Sequence, residues 1–233
     1  MPTPSPLPLI LLPGLGTDAR LYALQKMAFP QLIVPEWISP QWDESLPDYA
    51  QRMAAEIHPG GPCYIGGTSF GGMVALEMTR HLPARACFLM STIHSARELP
   101  LWMRVMAPTA WLLPPFTDRV LSLTGSLILN TVGRWLPPSG KTVCTHLSKT
   151  RSRILPWACR NVVRWKPDQE WPCPIFHLHG DRDVILPHRG TTPTQLVPKA
   201  GHLLPLTHPF VVNEFLRCSI EQVEERQQDA FQS

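Results

Sequence analysis

The first apolar run of the chain, Leu7-Pro8-Leu9-Ile10-Leu11-Leu12, does not alternate with polar residues. Runs of that kind belong to strands covered on both faces, as in a parallel sheet. Pro13-Gly14-Leu15-Gly16-Thr17-Asp18 turns the chain, and a short helix is predicted at about 19–27. Residues 31–37 read as a second strand. Leu46, Tyr49, Met53 and Ile57 recur at helical spacing behind Asp43-Glu44 and Pro47-Asp48, which predicts a helix over Leu46–Ile57. Residues 62–68 form the third strand, followed by an apolar helix to about His81-Leu82, where Pro83 stops it. The fourth strand is expected at 85–91.

From residue 95 to residue 171 the pattern changes. Apolar residues recur at helical spacing, strand-like runs vanish, and Pro-Pro pairs at 114–115 and 137–138 interrupt the helices. Strand patterning returns at Pro174-Ile175-Phe176-His177-Leu178-His179. A short helix is expected near 187–190, a last strand at 194–197, and an amphipathic helix from Pro209 to about Gln227. Its polar end, 221–228, reads as a solvated face. Strands alternating with helices predict an α/β fold with a mostly parallel sheet of about six strands and helices on both faces. The expected division is a core over 1–94 and 172–233, with 95–171 inserted as a helical cap above the carboxyl ends of the strands. Open α/β sheets place their ligand sites there.

A chain of 233 residues with 44% hydrophobic content suffices for one well-buried domain. Its net charge of +3 implies no general affinity for nucleic acid. The six cysteines (Cys63, Cys87, Cys144, Cys159, Cys173, Cys218) form no C-x-x-C pair, which fits free thiols in a reducing compartment. No segment reaches eighteen uninterrupted apolar residues, and the 7–12 run is too short for a secretory signal core. A cytoplasmic protein without a membrane span is expected.

Chemistry enters at Tyr64-Ile65-Gly66-Gly67-Thr68-Ser69-Phe70-Gly71-Gly72. Here a strand, a glycine-rich turn and a helix carry the G-x-S-x-G pattern of a nucleophile elbow. A serine that holds its hydroxyl clear of the backbone sits on a sharp, strained turn. The residues two before and two after it press on neighbouring backbone, where only glycine fits. The following helix points its free N–H groups at the site. A Gly-rich βα turn of another kind is the bland alternative. A phosphate loop would require a lysine that this stretch lacks.

Two further signals follow in order. His179-Gly180-Asp181-Arg182-Asp183 comes straight after one strand, and Ala200-Gly201-His202 after the last, so both lie at the carboxyl edge of the sheet. With L-x-x-G-x-G near the start, G-x-S-x-G-G, H-G-x-x-D and G-H, the sequence resembles a small, capped serine hydrolase of the α/β-hydrolase superfamily. The likeness covers nearly the whole chain outside the cap, and it implies the fold without its first hairpin. It implies Ser69 as nucleophile, His202 as general base and Asp183 as the acid that orients the imidazole. Asp181 is the rival acid, expected instead to bond the turn's own backbone. The implied oxyanion donors are the amides of Phe70 and Leu15, although Pro13-Gly14 stands where the family commonly has His-Gly. No cofactor is implied. His177 is expected to be buried and satisfied, and no histidine spacing predicts a metal.

A rival from another class is formally present. Gly14-x-Gly16-x-x-Ala19 follows a strand, and Glu36 comes seventeen residues after Ala19, as in a dinucleotide fingerprint. It would make Ser69, Asp183 and His202 coincidental. A fold kept only for binding is a third reading, against which the complete triad argues.

Between Arg97 and Glu170 there are eleven Lys or Arg against four Asp or Glu, on a body that is net acidic. Solvated helix faces explain part of this, and an anionic or carrier-linked substrate would explain the rest. Trp102, Met103, Met106, Trp111, Leu112 and Phe116 suit an acyl pocket or a helix core equally. The sequence reads best as a carboxylesterase acting on a small to medium apolar acyl ester through an acyl-serine. An acyl-thioesterase, a carrier-linked ester hydrolase or a lyase of the same fold are the alternatives. By the same resemblance, a serine nucleophile disfavours dehalogenase and epoxide hydrolase chemistry, which uses aspartate.

Overall fold

The computed structural model describes residues 6–106, 154–167 and 170–232. Six strands, β1 (Leu9–Leu12), β2 (Leu32–Ile33), β3 (Cys63–Thr68), β4 (Ala84–Met90), β5 (Ile175–Gly180) and β6 (Gln195–Val197), form one sheet in the order β2-β1-β3-β4-β5-β6. Every neighbouring pair is parallel. Among the described residues the α-helices are α1 (Ala23–Ala28), α2 (Leu46–Ile57), α3 (Phe70–Met78), α4 (Leu101–Met106), α5 (Ile154–Arg164), α6 (Leu204–Thr207) and α7 (Pro209–Gln232).

The unbroken apolar run of β1 divides between two cores, because side chains alternate across a strand. Ile10 and Leu12 face the layer of α2, α3 and α5, packing with Met53, Val74 and Trp157. Leu9 and Leu11 face the layer of α1 and α7, packing with Tyr22, Phe88, Phe215 and Leu216. From β1 the chain crosses to β2 on one side and then returns to β3 on the other. The loops after β1 and β3 therefore part company at a topological switch point, where α/β sheets open a crevice. Both the Leu15 loop and Ser69 lie there.

Local chemistry sets the boundaries. Ser45 caps α2 by accepting from the Asp48 amide at 3.3 Å, with Pro47 in the first turn. The second strand is shorter than expected, only Leu32–Ile33, because Pro35 brings no N–H to the ladder and restricts Val34 before it. Helix α3 stops at Met78, since the Thr79 hydroxyl takes the Leu76 carbonyl at 2.6 Å and the next amides bond three residues back. The final helix runs to Gln232, beyond the expected Gln227, and α6 precedes it unforeseen. Between β4 and β5 the described residues form the helices α4 and α5 and no strand. Both Pro-Pro pairs and Trp111, Leu112 and Phe116 lie outside the described residues. No described helix is long and apolar enough to cross a membrane.

Candidate active site

Ser69 follows the last residue of β3 and caps α3 with φ 56° and ψ −128°. A non-glycine residue there is strained, so the surroundings must impose the conformation. They do so from three sides. The Ser69 amide donates to the Met90 carbonyl at 3.0 Å, and its own carbonyl accepts from the Thr92 hydroxyl at 2.6 Å and the Gly72 amide at 2.9 Å. The two motif glycines leave no room for a side chain: a Cβ on Gly67 would lie 2.5 Å from the Gly71 carbonyl. One on Gly71 would lie 2.3 Å from the Pro13 oxygen.

The loop after β1 is held against this elbow. The buried Tyr22 hydroxyl donates to the Leu12 carbonyl at 2.9 Å and lies 2.7 Å from the Thr68 hydroxyl, pinning the ends of β1 and β3 together. A Cβ placed on Gly14 would come within 3.5 Å of the Ser69 Cβ. Leu15 is next along that loop. Among the described residues, neither the Leu15 nor the Phe70 amide donates a hydrogen bond. Both remain available to an oxyanion, Phe70 because a first-turn amide has no intrahelical acceptor. The loop is a closed turn, with Thr17 bonding the Gly14 carbonyl through its amide and hydroxyl, and only a 3₁₀ turn, Ala19–Tyr22, follows directly. That is not the immediate helix entry of a dinucleotide loop.

Asp183 and His202 meet on the far side of β4. The His202 Nδ1 lies 2.7 Å from Asp183 Oδ2, and since a carboxylate only accepts, Nδ1 carries the proton of that bond. Asp183 is buried, and its Oδ1 accepts from the Ile185 and Leu186 amides, each at 2.9 Å. Burial alone would push this carboxyl up. Hydrogen bonds from His179, His202 and the Leu186 amide outweigh it and hold the group well below the usual carboxylate range. The loops carrying the pair are themselves joined, because the Arg182 amide donates to the Ala200 carbonyl at 2.9 Å.

The five expected residues are thus all at the carboxyl edge of the sheet. Asp183 and His202 are in contact. Among the described residues, no hydrogen bond joins Ser69 Oγ to His202. Such contacts often tighten only when substrate is bound. Asp181 does not bond the turn as expected: it is exposed, and Asp183 itself takes the backbone amides. His177 is buried, but satisfied only in part. Its Nε2 lies 3.0 Å from His179 Nδ1, while its Nδ1 has no partner among the described residues. Burial, then the neighbouring His94 and His179 rings, pushes its imidazole down from 6.5 to about 2. Tyr22, Thr92 and His179 support the site and were not assigned to it from sequence. Only His179 had a signal, as the first residue of H-G-x-x-D.

The profile of the alpha/beta hydrolase family matches residues 9–215. The chain belongs to this family. No curated protein sequence matches it significantly. Among solved structures, this hydrolase-family chain is similar to a thermophilic esterase from Thermogutta terrifontis, at 19% identity and a TM-score of 0.69, over 94% of this chain and 91% of that one. MenH from S. aureus is similar at 15% identity and a TM-score of 0.68, over 94% of both chains. An epoxide hydrolase from Bacillus megaterium reaches 0.68 at 13% identity, over 91% of this chain and 94% of that one. At these identities the likeness is one of fold, and fold does not decide which reaction a site performs.

Proposed function

We propose that this hydrolase cleaves a carboxylic ester with a small to medium apolar acyl group through an acyl-serine intermediate. The observation that carries the reading is the Asp183–His202 bond, formed at the same sheet edge to which the elbow strain delivers Ser69. In the first half-reaction Ser69 Oγ attacks the ester carbonyl carbon while His202 Nε2 takes its proton. The Phe70 and Leu15 amides receive the charge that develops on the carbonyl oxygen. Collapse of the tetrahedral intermediate expels the alcohol, which leaves with the proton from His202, and Asp183 stabilises the imidazolium in between. Water then attacks the acyl-serine by the same route, releasing the acid and restoring Ser69. A serine nucleophile separates this reading from that of an epoxide hydrolase.

An anionic or carrier-linked substrate is the second reading. It is favoured by a cavity of about 480 Å³ whose lining, which includes His94, Arg97, Arg104, Lys166, Trp165 and Trp171, is rich in cationic and aromatic side chains. Labelling with a fluorophosphonate ester tests the main reading. The expected result is a single adduct on the Ser69 peptide that Ser69→Ala abolishes. An adduct elsewhere, or none on folded protein, would contradict it.

A further inference from the structure

The triad acid is touched by a second imidazole. His179 Nε2 lies 3.3 Å from Asp183 Oδ2 and 2.7 Å from the Leu186 carbonyl, with both side chains fully enclosed. Carbonyl and carboxylate oxygens only accept, so Nε2 carries a proton shared between them. The other ring nitrogen is held as well, with His179 Nδ1 at 3.0 Å from His177 Nε2. His177 is in turn packed edge-on against His94, ring centroids 4.8 Å apart, and the His188 ring lies 6.5 Å from that of His179. His94 is tied by its amide to Glu98 at 2.7 Å.

The arrangement is a closed circuit. Leu186 gives its amide to Asp183 Oδ1 and takes the His179 proton on its carbonyl. The two backbone amides fix only Oδ1, and a carboxylate held at one oxygen can pivot about it. Oδ2 is the oxygen that faces His202, and His179 is the one other donor on it among the described residues.

Resting on the assignment of Asp183 and His202 to the reaction, we propose that His179 is a positioning residue that clamps Asp183 Oδ2 in line with His202 Nδ1. His177 keeps the ring from turning. His179 touches neither substrate nor the reacting atoms. It acts through Asp183, which in turn sets the direction of the imidazole.

The test combines proton NMR of the downfield His202 Nδ1–H resonance, assigned by its loss in His202→Gln, with steady-state kinetics. In His179→Phe the resonance is expected to broaden and move upfield. Its kcat should fall roughly tenfold with KM unchanged, the scale of one charge-assisted hydrogen bond. His179→Gln, which keeps a donor at similar reach, should restore both. A sharp, unshifted resonance in folded His179→Phe would overturn the proposal, whatever the activity. The NMR arm reads the contact even if no ester is cleaved, so a failure of the esterase reading remains separable. If His179→Phe does not fold, ¹⁵N-resolved spectra of wild type decide instead: a proton on His179 Nε2 supports the clamp, and one on Nδ1 alone overturns it.

Discussion

Gly71 lies so close to Pro13 that a single added methyl would meet the Pro13 oxygen at 2.3 Å and the Leu12 oxygen at 2.4 Å. The first turn of α3 thus rests directly on the backbone that leads to the Leu15 amide. The glycine is there because two pieces of main chain must approach, and the approach joins the segments that carry the proposed oxyanion donors, Leu15 and Phe70.

Gly71→Ala should therefore affect catalysis beyond its effect on stability. Backbone must move to admit the methyl, at a cost of about 1–3 kcal/mol, measurable by chemical denaturation. The displaced loop carries Leu15, so kcat should fall by about 10²-fold, as when one oxyanion donor is lost. Equal loss of stability with unchanged kcat would show that the Leu15 loop does not serve the reaction.

Asp183→Asn keeps the shape of the acid but places an amide where His202 Nδ1 needs an acceptor. The expected fall in kcat is about 10⁴-fold, from the wrong imidazole tautomer and a lost counter-charge. Asp181→Asn, on an exposed side chain, should change the rate little. The reverse order would return Asp181 to the role of acid.

Acid should unfold the protein partly through His177. Its folded value, about 2, lies below the ordinary 6.5, so the unfolded chain binds a proton that the folded chain refuses. The stability this represents is present above pH 6.5 and is lost as pH falls toward the folded value, at up to about 1.4 kcal/mol per pH unit. Denaturation between pH 7 and 5 should show His177→Gln losing less stability than wild type. A parallel decline in both would contradict the assignment.

Trp157 on α5 joins that helix to the elbow. Its indole N–H donates to the Glu44 carbonyl at 2.7 Å, and its ring meets Phe70 edge-on at 5.8 Å and Tyr49 at 4.5 Å. Trp157→Ala should cost about 3–5 kcal/mol in thermal or chemical denaturation. Trp157→Phe should recover most of the packing but leave the Glu44 carbonyl without that donor. Little loss in Trp157→Ala would mean that α5 is not anchored through this ring.

Much of this was legible in the sequence because the chemistry demands particular residues at short range. Gly67 and Gly71 mark the elbow since any side chain there collides with main chain. Asp183 and His202 were expected at one edge because each follows a strand, and the motifs H-G-x-x-D and G-H of the resembled family singled them out. The misses share a different character. Pro35 truncates β2, although the apolar pattern of residues 31–37 suited a strand. Thr79 ends α3 through its own hydroxyl, a competition that apolar periodicity does not register. Asp183 takes the turn-bonding role expected of Asp181, in addition to its contact with His202, because turn geometry, not composition, decides which carboxylate points inward. Tyr22 reaches Thr68 across forty-six residues, and His179 meets Leu186 only once the turn has closed. Contacts of that range have no sequence period.

The most direct measurement is pre-steady-state hydrolysis of p-nitrophenyl esters, acetate through decanoate, by wild type and Ser69→Ala. A burst of nitrophenol equal to the enzyme concentration, absent from folded Ser69→Ala, is the expected result, with the chain-length optimum sizing the acyl pocket. Hydrolysis that persists undiminished in Ser69→Ala, or folded wild type that cleaves none of the series, would contradict an acyl-serine esterase.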